Sequence, residues 1–247
     1  MLAKYSKEFL ISPSCCDYSG KESLDNIFDL FIDTAGEHAV TLGIGARDLM
    51  KNSLFWVVAK ARVRLYERPW FYDQVKVSTW PEAGAGYRCF RDYTIEKDGK
   101  LLVAGRHEWA IVNGKTKKPL NVGDILPDSV DYLTDRAIEE DFHHLKGEFP
   151  QKPFASYKVK STDIDFEGHM NNVDYVRAFQ SLYSSKEWSE LGVYDMEISY
   201  ASSCFEGEEL LFSSRDTKEG MEVLAHLSDG KRIAYYTLRT KKGKENA

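Results

Sequence analysis

Two stretches of this chain lie over one another without a gap. DYSGKESLDNIFDLFI (17–32) and DFEGHMNNVDYVRAFQ (165–180) match at a constant offset of 148 positions. Asp17 falls on Asp165, Gly20 on Gly168, Ile27 on Tyr175 and Phe31 on Phe179. An internal duplication is the simplest reading, and it restricts the fold to a unit that occurs twice.

The unit can be read from its periodicities. In SLDNIFDLFIDTAGEHA, the residues Leu24, Ile27, Phe28, Phe31 and Ala35 recur at helical spacing behind a candidate N-cap, Ser23. The pattern then changes to period two. In LFWVVAKARVRLYE, Phe55, Val57, Ala59, Ala61, Val63 and Leu65 share one face, while Lys60, Arg62 and Arg64 share the other. DQVKVSTW, YRCFRDYTIEKDG and KLLVAGRHEWAIVN follow as strands, with Asp98-Gly99 as a hairpin turn. The second half repeats the order. SYKVKST is a strand, NNVDYVRAFQSLYSS a helix with Val173, Val176, Phe179 and Tyr183 on one stripe, and four more strands carry a turn at Asp229-Gly230. The expected fold is α+β: two tandem hotdog domains, each a long helix wrapped by an antiparallel sheet whose face buries the helix's apolar stripe. The expected boundaries are 1–120, an acidic, proline-bearing linker with a short helix at 121–153, and 154–247.

Composition narrows the function classes. A chain 43% hydrophobic and 29% charged suits an ordinary soluble protein. No apolar run approaches the roughly 20 residues of a membrane span. MLAKYSKEFLISPSCC shows no secretory core followed by a small-residue cleavage site. The four cysteines form no CxxC pair, and vicinal Cys15 and Cys16 suit neither a disulfide nor a metal, so a reducing, cytoplasmic home is expected. A net charge of −6 argues against nucleic-acid or anionic-membrane partners. No motif implies a metal or an organic cofactor.

The chain resembles the acyl-acyl-carrier-protein thioesterases over roughly residues 5 to 240. The resemblance rests on GIGARDLMKNSLFWVVAKARVRLYERPWFYDQVKVSTW, RDYTI and EWAIVN in the first half, and on DIDFEGHMNNVDYV and ISYASSC in the second. It implies hydrolysis of fatty acyl-carrier-protein thioesters, with the loaded carrier as partner. It also implies a catalytic D-x-N-x-H loop and a following Glu–Cys pair. Asp165 and His169 match that loop, with Glu167 at the Asn position; Cys204 matches the pair, with Ser203 at the Glu position. Glu167 is expected to stand in partly for the strand carboxylate that is missing.

The residues suit that chemistry. A leaving thiol with a pKa of roughly 8.5 needs little acid assistance, so the demands are a base or nucleophile and oxyanion donors. A carboxylate at Asp165 or Glu167 activates water or attacks directly, and His169 orients water, carries the proton or bonds the carbonyl. Gly168 and Asn171 are candidate substrate contacts, their N–H groups expected to point outward at a helix N-terminus. Competing structural readings stand beside each. Asp165 or Asn171 is a helix cap, His169 is satisfied by backbone, Glu167 is solvated and Cys204 is core. The N-terminal loop follows Gly20 with Lys21 rather than His, so that half is expected to shape the acyl pocket, with Trp56, and also Trp80 and Trp109, as candidate lining. Carrier docking falls to Lys60, Arg62 and Arg64, or to Lys115, Lys117 and Lys118. Hydrolysis of acyl-CoA, or acyl binding without catalysis, remains as the alternative, and a homodimer stays open.

Overall fold

The computed structural model describes residues 3–84, 86–127, 130, 132–144 and 147–241. It divides into two units, Met1–Asp141 and Phe142–Ala247.

Unit 1 contains β1 (Tyr5–Leu10), α1 (Leu24–Thr41), α2 (Ala46–Met50), β2 (Leu54–Leu65), β3 (Gln74–Pro81), β4 (Cys89–Lys97) and β5 (Lys100–Asn113). Its strands pair antiparallel in the order β1-β3-β4-β5-β2. Helix α1 forms where its spacing predicts. The Ser23 hydroxyl accepts from the Asn26 N–H at 3.4 Å, and Leu24, Ile27, Phe28, Phe31 and Ala35 are buried. The β4–β5 hairpin turns on Asp98 and Gly99 with positive φ at both (51° and 77°), the geometry of a type I′ turn.

Unit 2 contains β6 (Ala155–Lys158), α3 (Asn172–Gln180), α4 (Ser185–Leu191), β7 (Val193–Tyr200), β8 (Glu209–Asp216), β9 (Gly220–His226) and β10 (Arg232–Thr240). Its order, β6-β8-β9-β10-β7, repeats that of unit 1 strand for strand. The helix is shorter than its hydrophobic stripe suggests. It ends at Gln180, and a capping box at Ser184, which accepts from Glu187 while the Glu187 carboxylate accepts from the Ser184 N–H, starts a separate α4. Tyr183 lies between the two helices and still packs on Phe179, ring centroids 5.6 Å apart.

Strand β2 departs from a single alternating phase. A bulge between Val58 and Lys60 shifts its pairing with β5, from Val58 opposite Trp109 to Lys60 opposite Glu108. Val58 is consequently buried and Val57 exposed, while Ala61 and Val63 resume the inward phase. Lys60, Arg62 and Arg64 are not the open basic face expected. Arg62 is buried and its guanidinium donates to the Asp141 carbonyl at 3.5 Å. Arg64 binds both oxygens of Glu140 at 3.0 and 2.8 Å and draws that carboxyl's pKa down to about 2. Lys60 lies 3.8 Å from Glu108. Part of the stretch expected as a linker thus belongs to unit 1. Val122, Val130 and Ile138 are buried, and Ala137 donates its N–H to Asp92 at 2.9 Å.

Candidate active site

The loop Asp165–His169 is a β-turn closed by a glycine. The Gly168 N–H donates to the Asp165 carbonyl at 3.0 Å, and Asp165 N–H donates to the His169 carbonyl at 3.0 Å. Gly168 has φ +83°, where a side chain brings strain. Asp165 Oδ1 accepts from the Glu167 N–H at 2.8 Å, an Asx turn that fixes the carboxylate and leaves Oδ2 free to face the imidazole. His169 Nδ1 lies 3.8 Å from Asp165 Oδ2, and its Nε2 lies 3.4 Å from Glu167 Oε2. The imidazole therefore stands between two carboxylates. Glu167 raises its pKa most; burial, the next largest effect, opposes it, and Asp165 and the Met170 carbonyl add to the rise, so that the pKa lies above the ordinary value.

The loop is tied to the chain around it. Asn171 is the N-cap of α3, its side-chain oxygen accepting from Val173 N–H at 3.0 Å. The Gly168 and Asn171 N–H groups, expected to point outward, are spent internally, on the Asp165 carbonyl and on the Asp163 carbonyl at 2.9 Å, and Met170 between them donates to the Cys204 carbonyl at 2.8 Å. That leaves His169 N–H as the candidate oxyanion donor of the stretch. Asn172 offers its carbonyl to the Tyr200 hydroxyl at 2.9 Å.

Cys204 follows β7 in the connection to β8 rather than in a strand, and it is buried. Burial, and next the Glu208 carboxylate, push its thiol up to about 12, so it is a thiol and not a nucleophilic thiolate at neutral pH. Glu208 also caps the turn by accepting from Phe205 N–H at 2.8 Å, and Tyr175 Oη accepts from Cys204 N–H at 3.2 Å. Trp56 lies in unit 1, where its Nε1 donates to the Ile44 carbonyl at 2.8 Å and its ring meets Trp109 edge-on at 6.1 Å. Among the described residues no group of His, Cys, Asp and Glu is arranged to hold a metal ion. Among the described residues no helix is long and apolar enough to cross a membrane.

Unit 1 contains the same loop, bond for bond. Gly20 N–H donates to Asp17 carbonyl and Asp17 N–H to Lys21 carbonyl, both at 2.9 Å, with Gly20 at φ +75° and Ser19 N–H on Asp17 Oδ1 at 2.8 Å. The adjoining turn is duplicated as well. Glu22 N–H donates to Pro69 carbonyl at 2.8 Å, as Met170 does to Cys204, and Asp73 caps Trp70 N–H at 2.9 Å, as Glu208 caps Phe205. Position 68 in unit 1 therefore corresponds to position 203 in unit 2. Arg68 occupies it and holds Asp17 Oδ2 at 2.6 Å and Ser19 Oγ at 3.2 Å. Burial is the largest single effect on the Asp17 carboxyl and would raise its pKa, but Ser19 and Arg68 together outweigh it and hold the carboxyl low. In unit 2 the place of this guanidinium is taken by Ser203, and the place of Lys21 by His169. Sequence reading missed this equivalence and the placing of Glu208. A signal exists, because an acidic residue stands four positions after both Pro69 and Cys204.

Two units of one topology, each a helix on a long antiparallel sheet, define a tandem hotdog protein, and the loop on unit 2 gives it a carboxylate–imidazole site. The acyl-ACP thioesterase N-terminal domain model matches residues 3–129 and the corresponding C-terminal domain model matches 148–247, so the chain belongs to the acyl-ACP thioesterase family. It is 26% identical over 167 residues to the chloroplastic acyl-[acyl-carrier-protein] hydrolase FATB3 of Cuphea viscosissima, an alignment covering 62% of this chain and 40% of that protein. It is 22% identical over 192 residues to the chloroplastic oleoyl-acyl carrier protein thioesterase 1 of Arabidopsis thaliana, covering 70% and 52%. The chain thus spans about half, or less, of the length of these plant relatives. The fold is shared with an acyl-ACP thioesterase from Bacteroides thetaiotaomicron VPI-5482, at a TM-score of 0.87 and 23% identity over 97% of this chain and 98% of that one. It is shared too with the 12:0-ACP thioesterase from Umbellularia californica, at a TM-score of 0.81 and 17% identity over 96% of both chains.

Proposed function

We propose that this chain hydrolyses fatty acyl-acyl-carrier-protein thioesters, with Asp165, Glu167 and His169 as the reacting groups. The observation that carries the reading is His169 held between two carboxylates, on a loop whose twin in unit 1 lacks the imidazole and has its aspartate neutralised by Arg68. His169 in its protonated form, which its neighbours favour, donates to the thioester carbonyl and stabilises the oxyanion together with its own N–H. Asp165, or Glu167 beside it, takes a proton from water as the water oxygen attacks the carbonyl carbon. Collapse of the tetrahedral adduct breaks the carbon–sulfur bond, and the proton held on the carboxylate passes to the departing thiolate, leaving free acid and carrier thiol. Gly168 exposes the loop's backbone to substrate, Asn171 fixes the loop on α3, Cys204 anchors it through Met170, and Trp56 belongs to the acyl-lining wall of unit 1. Burial of Arg62 and the pairing of Lys60 and Arg64 with carboxylates pass the carrier contact to the exposed turn Lys115, Lys117 and Lys118.

Free-thiol release from acyl-carrier protein and from acyl-CoA, measured on the wild type and on Asp165→Asn, Glu167→Gln and His169→Ala, tests the reading. Carrier-selective turnover is expected, lower by about a hundredfold or more in Asp165→Asn and His169→Ala. The rate depends on the imidazolium, so it falls as pH rises through the elevated pKa of His169. Glu167→Gln removes the largest support of that pKa and moves the falling limb to lower pH. Equal turnover of acyl-CoA assigns the coenzyme thioester instead. Turnover indifferent to Asp165 and His169 removes the site.

A further inference from the structure

Unit 1 buries a guanidinium that no carboxylate among the described residues answers. Arg91 on β4 is 8% exposed, and its Nη1 meets only His38 Nδ1 at 3.0 Å and Thr79 Oγ1 at 3.3 Å. Opposite it on β5 stands His107, fully buried, with neither ring nitrogen hydrogen-bonded among the described residues. Burial first, and the Arg91 charge second, push His107 down to about 3, so at neutral pH it carries one N–H donor and one acceptor. On the same face Tyr93 Oη and Trp109 Nε1 are also buried without a well-formed hydrogen bond among the described residues, the indole N–H acting only weakly on the neighbouring hydroxyl. The four groups are contiguous: the Tyr93 and Trp109 rings lie 4.6 and 6.1 Å from that of His107. Phe28 and Phe31 of α1 cover the imidazole at 6.1 and 6.2 Å, which places the group in the interior between helix and sheet.

A fold does not keep one buried charge and three under-satisfied polar groups together unless something satisfies them. Their chemistry states what that something is. The guanidinium and the indole N–H only donate, and the hydroxyl and the imidazole each have a donor to spare. The complementary atom is an acceptor, and the positive charge favours an anion. The aromatic wall beside it suits hydrocarbon. We propose that Arg91, Tyr93, His107 and Trp109 form a subsite for a carboxylate borne on the acyl chain, so that the preferred acyl groups are oxygenated rather than plain hydrocarbon. The inference rests on the thioesterase reading for its link to turnover, but ligand binding tests it separately.

Titration calorimetry of the full chain with dodecanoate, ω-hydroxydodecanoate and dodecanedioate is the experiment. Wild type is expected to bind dodecanedioate about tenfold more tightly than dodecanoate, with the hydroxy acid between them. Arg91→Met and His107→Phe are expected to abolish the ratio while leaving dodecanoate within about threefold of wild type. Arg91→Met also removes a buried charge that no described carboxylate answers, so its melting temperature should not fall; His107→Phe provides an independent variant of similar shape. Equal affinity for the three acids, weaker binding of dodecanedioate, no binding of any of them, or a ratio untouched by both variants overturns the subsite and assigns these groups to ordered water. Loss of thiol release with the affinity ratio intact counts against the thioesterase reading and not against the subsite.

Discussion

A single position separates the two loops in charge. Arg68 closes over Asp17 and leaves it an internal ion-pair partner, whereas Ser203, at the equivalent place, leaves the Asp165 carboxylate to its imidazole. Ser203→Arg therefore transplants the device of unit 1 into unit 2. The guanidinium should pair with Asp165 Oδ2 and compete with His169 for it. We expect thiol release to fall about a hundredfold, while stability changes by less than about 1 kcal/mol, because an ion pair at this partly exposed loop contributes little. Ser203→Ala is the control and should retain activity. If Ser203→Arg kept wild-type turnover, the inertness of the first loop would have to come from Lys21 alone.

The loop as an element makes its own demand, through its glycine. Gly20 and Gly168 share one conformation, with φ +75° and +83°, yet they stand in different surroundings. A Cβ at Gly168 meets nothing within 4 Å, whereas one at Gly20 comes within 3.0 Å of Phe71 and 3.1 Å of Trp70. Gly168→Ala should therefore cost only the backbone strain, about 1 kcal/mol, and Gly20→Ala should cost roughly twice that as rings are displaced. Thermal melts of the two variants check the order, and an equal loss would mean that the rings move aside freely. The same elements show what a sequence gives away. Helix α1 was legible because its stripe, its cap and its solvent face agree. Strand β2 was legible in extent but not in phase, because the bulge at Val58–Lys60 has no glycine or proline to announce it. The loop and its Asp–Glu–His cluster were legible because they are local in the chain. The Arg68–Asp17 pair was not, since its partners stand 51 residues apart and meet only through the folded turn.

At the scale of the molecule, two units of one topology carry different interiors at matched backbone positions. Glu22 and Met170 both donate their N–H groups to the same point of the same turn, but unit 1 encloses a carboxyl where unit 2 encloses a thioether. One Glu22 oxygen accepts from Asn26 at 2.8 Å and the other has no partner among the described residues. Burial raises its pKa to about 7 in spite of Asn26 and Arg68. A carboxyl raised in the fold favours the folded state only while neutral. Its contribution is full below the unfolded value near 4.5, declines as pH rises, and is lost above about 7. Burial likewise raises Asp92, with the same sign, whereas His107, held neutral, costs stability as pH falls below about 6.5. Glu22→Met copies unit 2 into unit 1 and leaves the other two groups in place, so the difference between variant and wild type isolates Glu22. That difference should grow between pH 5 and pH 8 by a few kcal/mol in favour of the variant, at about 1.4 kcal/mol for each unit of displaced pKa. Thermal or urea melts across that range measure it. A difference that stays constant with pH would mean that Glu22 ionises as freely in the fold as in the unfolded chain, and that the buried carboxyl of unit 1 has solvent for company.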